Sequence, residues 1–220
     1  MKWGDTPASR AVAVGSVGAV VVAPLRAWFL RWGSSDEELN MALPGDELVA
    51  RADLTATRAI TIHADTEAVW PWIAQLGQGR GGFYSYDMLE NLLGCDIHSA
   101  NRIVPEWQSV TVGADVNLHP DVALTAALVQ PGRALVLRGA VPAGRMPAPY
   151  DFTWAFVLYG KPGGPTRLIV RERYGYASWW TPLLVEPVAL ISFVMSRRMM
   201  RGIKHRAERA VPSAVPAHNP

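Results

Sequence analysis

From residue 57 onward, polar and apolar positions recur with readable periods. Over 57–63 they alternate, with Ile60 and Ile62 on one face and Thr57 and Thr61 on the other, which predicts a half-buried strand. Asp65 then stands as the N-cap of a helix over 66–76, with Glu67 in its first turn and Val69, Trp72, Ile73 and Leu76 recurring at helical spacing. Pro71 falls too late for a first turn and should kink that helix. A glycine-rich turn over 77–82 leads to a second short helix over 86–93, closed by Gly94. Strand patterns then follow one another over 110–118, 122–129, 134–138, 150–159 and 166–176, punctuated by proline and glycine. Spacing this close favours antiparallel pairing over parallel crossovers. A long helix over 183–209 ends the pattern, followed by a Pro/Ala tail over 210–220 expected to be disordered. The class is α+β: a curved antiparallel sheet wrapped around the long C-terminal helix, with two short helices after the first strand. Only that last helix is long enough to cover the sheet, so side chains from both would line any space between them.

Residues 1–32 stand apart as an apolar N-terminal helix. Residues 11–23 are small or apolar without a charge, then Pro24 precedes a segment carrying Arg26, Trp28, Arg31 and Trp32. Pro24 sits where it would block signal-peptide cleavage. A membrane span needs about 20 apolar residues, which this run reaches only if Arg26 and Arg31 snorkel beside the tryptophans. A membrane anchor and a helix lying on the domain both remain open, so the expected localisation is cytoplasmic, with membrane association through residues 11–32 as the alternative. Residues 33–55 read as a linker with an acidic patch at Asp36, Glu37 and Glu38, and 56–209 as the compact domain.

Composition narrows the function. Half of the 220 residues are apolar, and the net charge of +2 gives no electrostatic case for nucleic acid. The single cysteine, Cys95, excludes an internal disulfide framework, and the five histidines have no metal-ligand spacing, so no metal and no cofactor are expected. Nine tryptophans point to an aromatic-lined cavity or to contact with a membrane interface.

Some positions carry candidate chemistry. In 166–176, Leu168, Val170, Glu172 and Tyr174 share one face, while Arg167, Ile169, Arg171 and Arg173 share the other. The arginine face is expected to be the wet one, which points Glu172 into the concave interior, where a carboxylate needs a partner or a proton. It is there either a general acid/base or an anchor for a ligand hydroxyl, or else a solvated residue at the strand end. Asp87, Glu90, Asp96 and His98 cluster around the second short helix, as an acid/base group, an oxygen-rich site, or plain loop hydrogen bonding. Gly77, Gly79 and Gly82 match the spacing of a dinucleotide fingerprint, but they follow a helix rather than a strand, so a tight turn with Arg80 exposed, or a cavity lip, is the better reading. On the last helix, Leu184, Val188, Ile191, Met195 and Met199 form an apolar stripe, followed by a basic end suited to the helix C-terminus.

The order of elements resembles the SRPBCC superfamily of helix-grip proteins, which includes START lipid-transfer domains and polyketide cyclases. The opening 57–62 with Val69-Trp70-Pro71-Trp72-Ile73 is similar to bacterial members, as are the blocks 77–87 with Glu90-Asn91, 96–100, 103–107 and 200–204. The resemblance covers about residues 56–209 and implies a helix-grip fold around a cavity for a hydrophobic small molecule, such as a lipid or polyketide-like metabolite. Cavity walls are then expected from Trp72, Tyr84, Tyr86, Leu118, Phe152, Trp154, Phe156 and Tyr174, with Val188, Ile191, Met195 and Met199 from the last helix. A carrier or sensor needs no more. A cyclase or aromatase would add Glu172, His98 or Asp87 as the group that moves protons. In a third reading, a membrane-associated accessory protein, the N-terminal segment carries the function.

Overall fold

In the computed structural model, which describes residues 23–92, 94–139 and 148–210, six strands pair in the order β1-β6-β5-β4-β3-β2, every pair antiparallel. They are β1 (Leu54–Ile62), β2 (Asp115–His119), β3 (Val122–Gln130), β4 (Ala134–Gly139), β5 (Tyr150–Gly160) and β6 (Thr166–Tyr176). The first and last strands are neighbours, because β1 pairs with β6 along its whole length. The helices are α1 (residues 23–30), α2 (Asp36–Asn40), α3 (Thr66–Ala74), α4 (Asp87–Leu92) and α5 (Thr181–Ala210). This is the helix-grip arrangement: α5 lies over one face of the curved sheet, against β1 and β6, with α3 beside it. The expected N-terminal helix over 1–32 and the tail over 210–220 fall largely outside the described residues.

Local chemistry sets the element ends. The Asp65 carboxylate accepts from the Ala68 amide and caps α3. Pro182 falls in the first turn of α5, where its missing N–H costs nothing. The expected strand over 110–118 shortens to Asp115–His119, because Gly113 takes a φ of +89° and makes a turn before it.

The main core fills the space between sheet and α5. Phe156, Leu168, Val170, Leu135 and Leu137 from the strands meet Val185, Ala189, Met200 and Ile203 from the helix. The buried side of α5 is rotated from the expected stripe, so that Ile191 is 61% exposed while Ser196 is buried. The first half of α5 is apolar almost all round, so its periodicity cannot set which side faces inward.

The opposite face of the sheet departs further from expectation. Leu43, Ala59, Val136, Val157 and Ile169 form a second, smaller core there, beneath residues 41–48. The stretch 33–55 expected as a linker therefore folds onto the sheet, and the arginine face of β6 is covered rather than wet. Arg171 is almost fully buried; it donates to the Thr57 hydroxyl, to the Met41 and Glu38 carbonyls, and to Asp46 at 2.6 Å. Arg167 grips Glu38, and Arg173 the Val49 carbonyl. A guanidinium has five donors in a planar fork, so it can lie under a folded segment and satisfy that segment's carbonyls.

Helix α1 lies against α5. Phe29 is buried, the Trp28 ring meets Phe193 edge-on at 5.1 Å between centroids, and Arg26 pairs with Glu186 at 2.6 Å. Among the described residues, no helix is long and apolar enough to cross a membrane.

Candidate functional site

Between the sheet and α5 lies a cavity of about 260 Å³, just below the range usual for small-molecule sites. Its floor is the inward face of β5 and β6, where Phe152 stands opposite Tyr174 and Trp154 opposite Glu172 in the strand register. Val188, Ser192, Met195, Ser196 and Met199 of α5 form its roof. The side wall comes from Leu118 on β2 and from the α4 region, with Phe83, Ser85, Glu90, Cys95 and Ile97. Aromatic contact holds the floor rigid: the Phe152 and Tyr174 rings lie 4.7 Å apart, and Trp154 stacks on Phe83 at 5.9 Å.

Glu172 sits at the inner end of this space, where strand alternation turns it, and is 1% exposed. Arg58 of β1 donates to its Oε1 at 2.7 Å, and the hydroxyls of Ser192 and Ser196 donate to the same oxygen at 2.6 and 3.1 Å. The Tyr174 hydroxyl reaches Oε2 at 3.4 Å. Burial first, and the Glu172 charge next, push the Tyr174 hydroxyl well above its ordinary pKa, so it stays a donor. The Arg58 Nε donates to the Phe29 carbonyl at 3.2 Å, which brings α1 into the same network.

Arg58, like Ser192 and Ser196, was not among the positions singled out from sequence. Its signal was parity: it shares the face of Ile60 and Ile62, the buried side of the first strand. A buried carboxylate on one strand and a buried guanidinium at inward parity on another form a pair that only strand order brings together, since Glu172 lies 114 residues further along the chain.

At the opposite wall stands Glu90, on α4. It is buried, its Oε2 has no hydrogen-bond partner among the described residues, and burial, with a smaller contribution from Asp87, pushes its pKa up to about 7. Glu90, Cys95 and Met195 also border an outer apolar groove between α4 and α5, whose walls include Leu89, Leu92, Leu190 and Val194. These three side chains therefore border both spaces. Burial, and next Glu90, raise the Cys95 thiol pKa.

Of the positions singled out from sequence, Leu118, Phe152, Trp154, Glu172, Tyr174, Val188, Met195 and Met199 border the cavity. Trp72, Tyr84 and Phe156 do not; they are buried in the core, where the Tyr84 hydroxyl donates to the Trp72 carbonyl. Tyr84 has a φ of +55°, and Gly202 of α5 packs directly on its carbonyl. Tyr86 is exposed beneath the Arg198 guanidinium, and Ile191 faces the outer groove. The other two acid/base candidates also lie away from the cavity. His98 is 81% exposed by side chain and bonds Asp96, while Asp87 accepts from both the backbone amide and the hydroxyl of Ser99, fastening the loop after α4. The residues 77–82 form a tight turn closed by Gly77 and Gly82, and Arg80 is half-buried rather than free, donating to the Ala74 and Trp107 carbonyls.

No family model matches the sequence, and no curated protein matches it. Several solved structures are similar to it, each at a TM-score below 0.5. The chain is similar to protein MLL2253 from Mesorhizobium loti, at 16% identity and a TM-score of 0.42, over 72% of this chain and 99% of that one. It is similar to protein NE0264 from Nitrosomonas europaea at 12% identity and a TM-score of 0.43, over 71% of this chain and 95% of that one. It is similar to the Zhui aromatase/cyclase from Streptomyces sp. R1128 at 12% identity and a TM-score of 0.44, over 73% of this chain and 97% of that one.

Proposed function

We propose that this protein binds a hydrophobic small molecule, as a carrier or sensor, in the cavity between its sheet and its last helix. The observation that carries this reading is the cavity itself. Apolar and aromatic side chains make up most of its wall, and its deepest polar group, Glu172, already has its partners. A well-packed domain leaves few voids larger than a water molecule, and an apolar space of this size is stabilised by an apolar guest.

The test is native mass spectrometry of the full chain, followed by organic extraction of whatever co-purifies. The full chain is required because Phe29 and Arg58 tie the N-terminal helix to the site. A stoichiometric apolar molecule supports the reading and names its class. A protein that carries nothing and binds no fatty acid, sterol or polyketide-like aromatic overturns it.

An enzyme of the cyclase type remains the second reading, favoured by a carboxylate and a tyrosine hydroxyl that both border the cavity. The two readings part on Glu172→Gln. Loss of turnover of the bound molecule with binding intact supports the enzyme, whereas a shift in affinity alone supports the carrier.

A further inference from the structure

Resting on the cavity as the binding site, we propose that it selects an uncharged apolar molecule bearing a carbonyl or hydroxyl oxygen, and rejects carboxylate anions. Among the described residues, the titratable side chains around the cavity are Glu90, Cys95, Tyr150, Glu172 and Tyr174, with no lysine, arginine or histidine. Arg58, the cation behind Glu172, has each of its three guanidinium nitrogens bonded already, to that carboxylate and to the carbonyls of Phe29 and Ala189. A carboxylate brought into this space would lose its hydration, find no counter-ion, and face Glu172.

Two polar atoms of lining residues are buried without a partner among the described residues: the Trp154 indole Nε1 and the Glu90 Oε2. An indole N–H can only donate, so it calls for an acceptor. Trp154 lies opposite Glu172 in the strand register and lines the cavity, so that a small turn of its ring would present the buried Nε1 to a guest there. Burial disfavours the anion of Glu90, and its neutral carboxyl can donate to a carbonyl or accept from a hydroxyl. The aromatic floor together with two carboxyl groups would also attract an ammonium ion. An ammonium group offers the indole no acceptor, however, and Glu172 already takes donors from Arg58, Ser192, Ser196 and Tyr174.

The test is calorimetric titration of the full chain at neutral pH with four probes of one shape: acetylnaphthalene, ethylnaphthalene, naphthoate and naphthylmethylammonium. The ketone is expected to bind about five- to tenfold more tightly than the hydrocarbon, the effect of one buried hydrogen bond, and naphthoate more weakly than either. Trp154→Phe should erase the margin between ketone and hydrocarbon, whatever it does to the affinity of the hydrocarbon itself, and Glu90→Gln should leave the rejection of naphthoate in place. Naphthoate equal to the ketone, the ammonium ion as tightest ligand, or ketone and hydrocarbon alike would each overturn the selectivity while leaving the cavity as a binding site. If none of the four binds, the cavity reading itself fails and this inference with it.

Discussion

The guanidinium of Arg58 donates to the carboxylate of Glu172 across 2.7 Å, and neither side chain reaches solvent. The two stand on the paired strands β1 and β6, which are the chain's first and last. A buried ion pair of this kind adds little over a well-packed apolar pair, but losing one member leaves the other charged and alone.

Arg58→Met is therefore expected to lower stability by about 3–5 kcal/mol, read from urea denaturation. Arg58→Met combined with Glu172→Leu should recover most of that loss. A double variant no more stable than the single would show that the pair's charges are not what the fold depends on.

Glu90 gives a pH dependence with a defined sign. Its folded pKa of about 7 lies above the ordinary 4.5, so between those values the folded state holds a proton that the unfolded state has released. Stability from this group is complete below 4.5, falls as pH rises towards about 7, and is level above that. Glu90→Gln should remove this slope, so the difference in melting temperature between variant and wild type should grow across the window. Parallel curves for the two proteins would contradict the assignment.

Cys95, like Glu90 and Met195, borders both the cavity and the outer groove. With its pKa raised by burial and by Glu90, the thiol should react slowly at neutral pH and faster in alkali. A bulky maleimide there is expected to weaken binding of an apolar probe by about tenfold or more, the equivalent of about 1.4 kcal/mol, and Cys95→Ser should escape the effect. Full labelling with unchanged affinity would place the entrance elsewhere.

Deleting residues 1–30 removes Phe29 from the core and leaves the Arg58 Nε without its carbonyl. The expected loss is about 2–4 kcal/mol, from apolar burial and one orphaned buried donor. A truncated chain with the melting temperature of the full protein would mean that α1 is only an appendage.

Much of the architecture was legible in the pattern of residues. Alternation over 57–63 and 166–176 set which side chains share a strand face, because a strand's side-chain period is two and admits no intermediate, although it did not show that both faces are covered. Asp65 and the glycine-rich turn marked ends that the structure keeps, since each acts on its own backbone neighbours, whereas Pro71 and Pro187 lie inside helices that continue past them. Parity also turned Glu172 inward, and with it Phe152 and Trp154 on the next strand.

Tertiary structure decided the rest. Whether Arg171 faces water depends on residues 33–50 folding over it, and no periodicity within β6 carries that information. The rotation of α5, which turns Ser192 and Ser196 rather than Ile191 towards the sheet, follows from the demand of a buried carboxylate for donors. Trp72, Tyr84 and Phe156 have the same chemistry as the residues around the cavity, yet they pack against neighbours that leave no space beside them. A void is what several distant elements jointly fail to fill, so sequence determined the faces of these elements and only their assembly decided where the cavity lies.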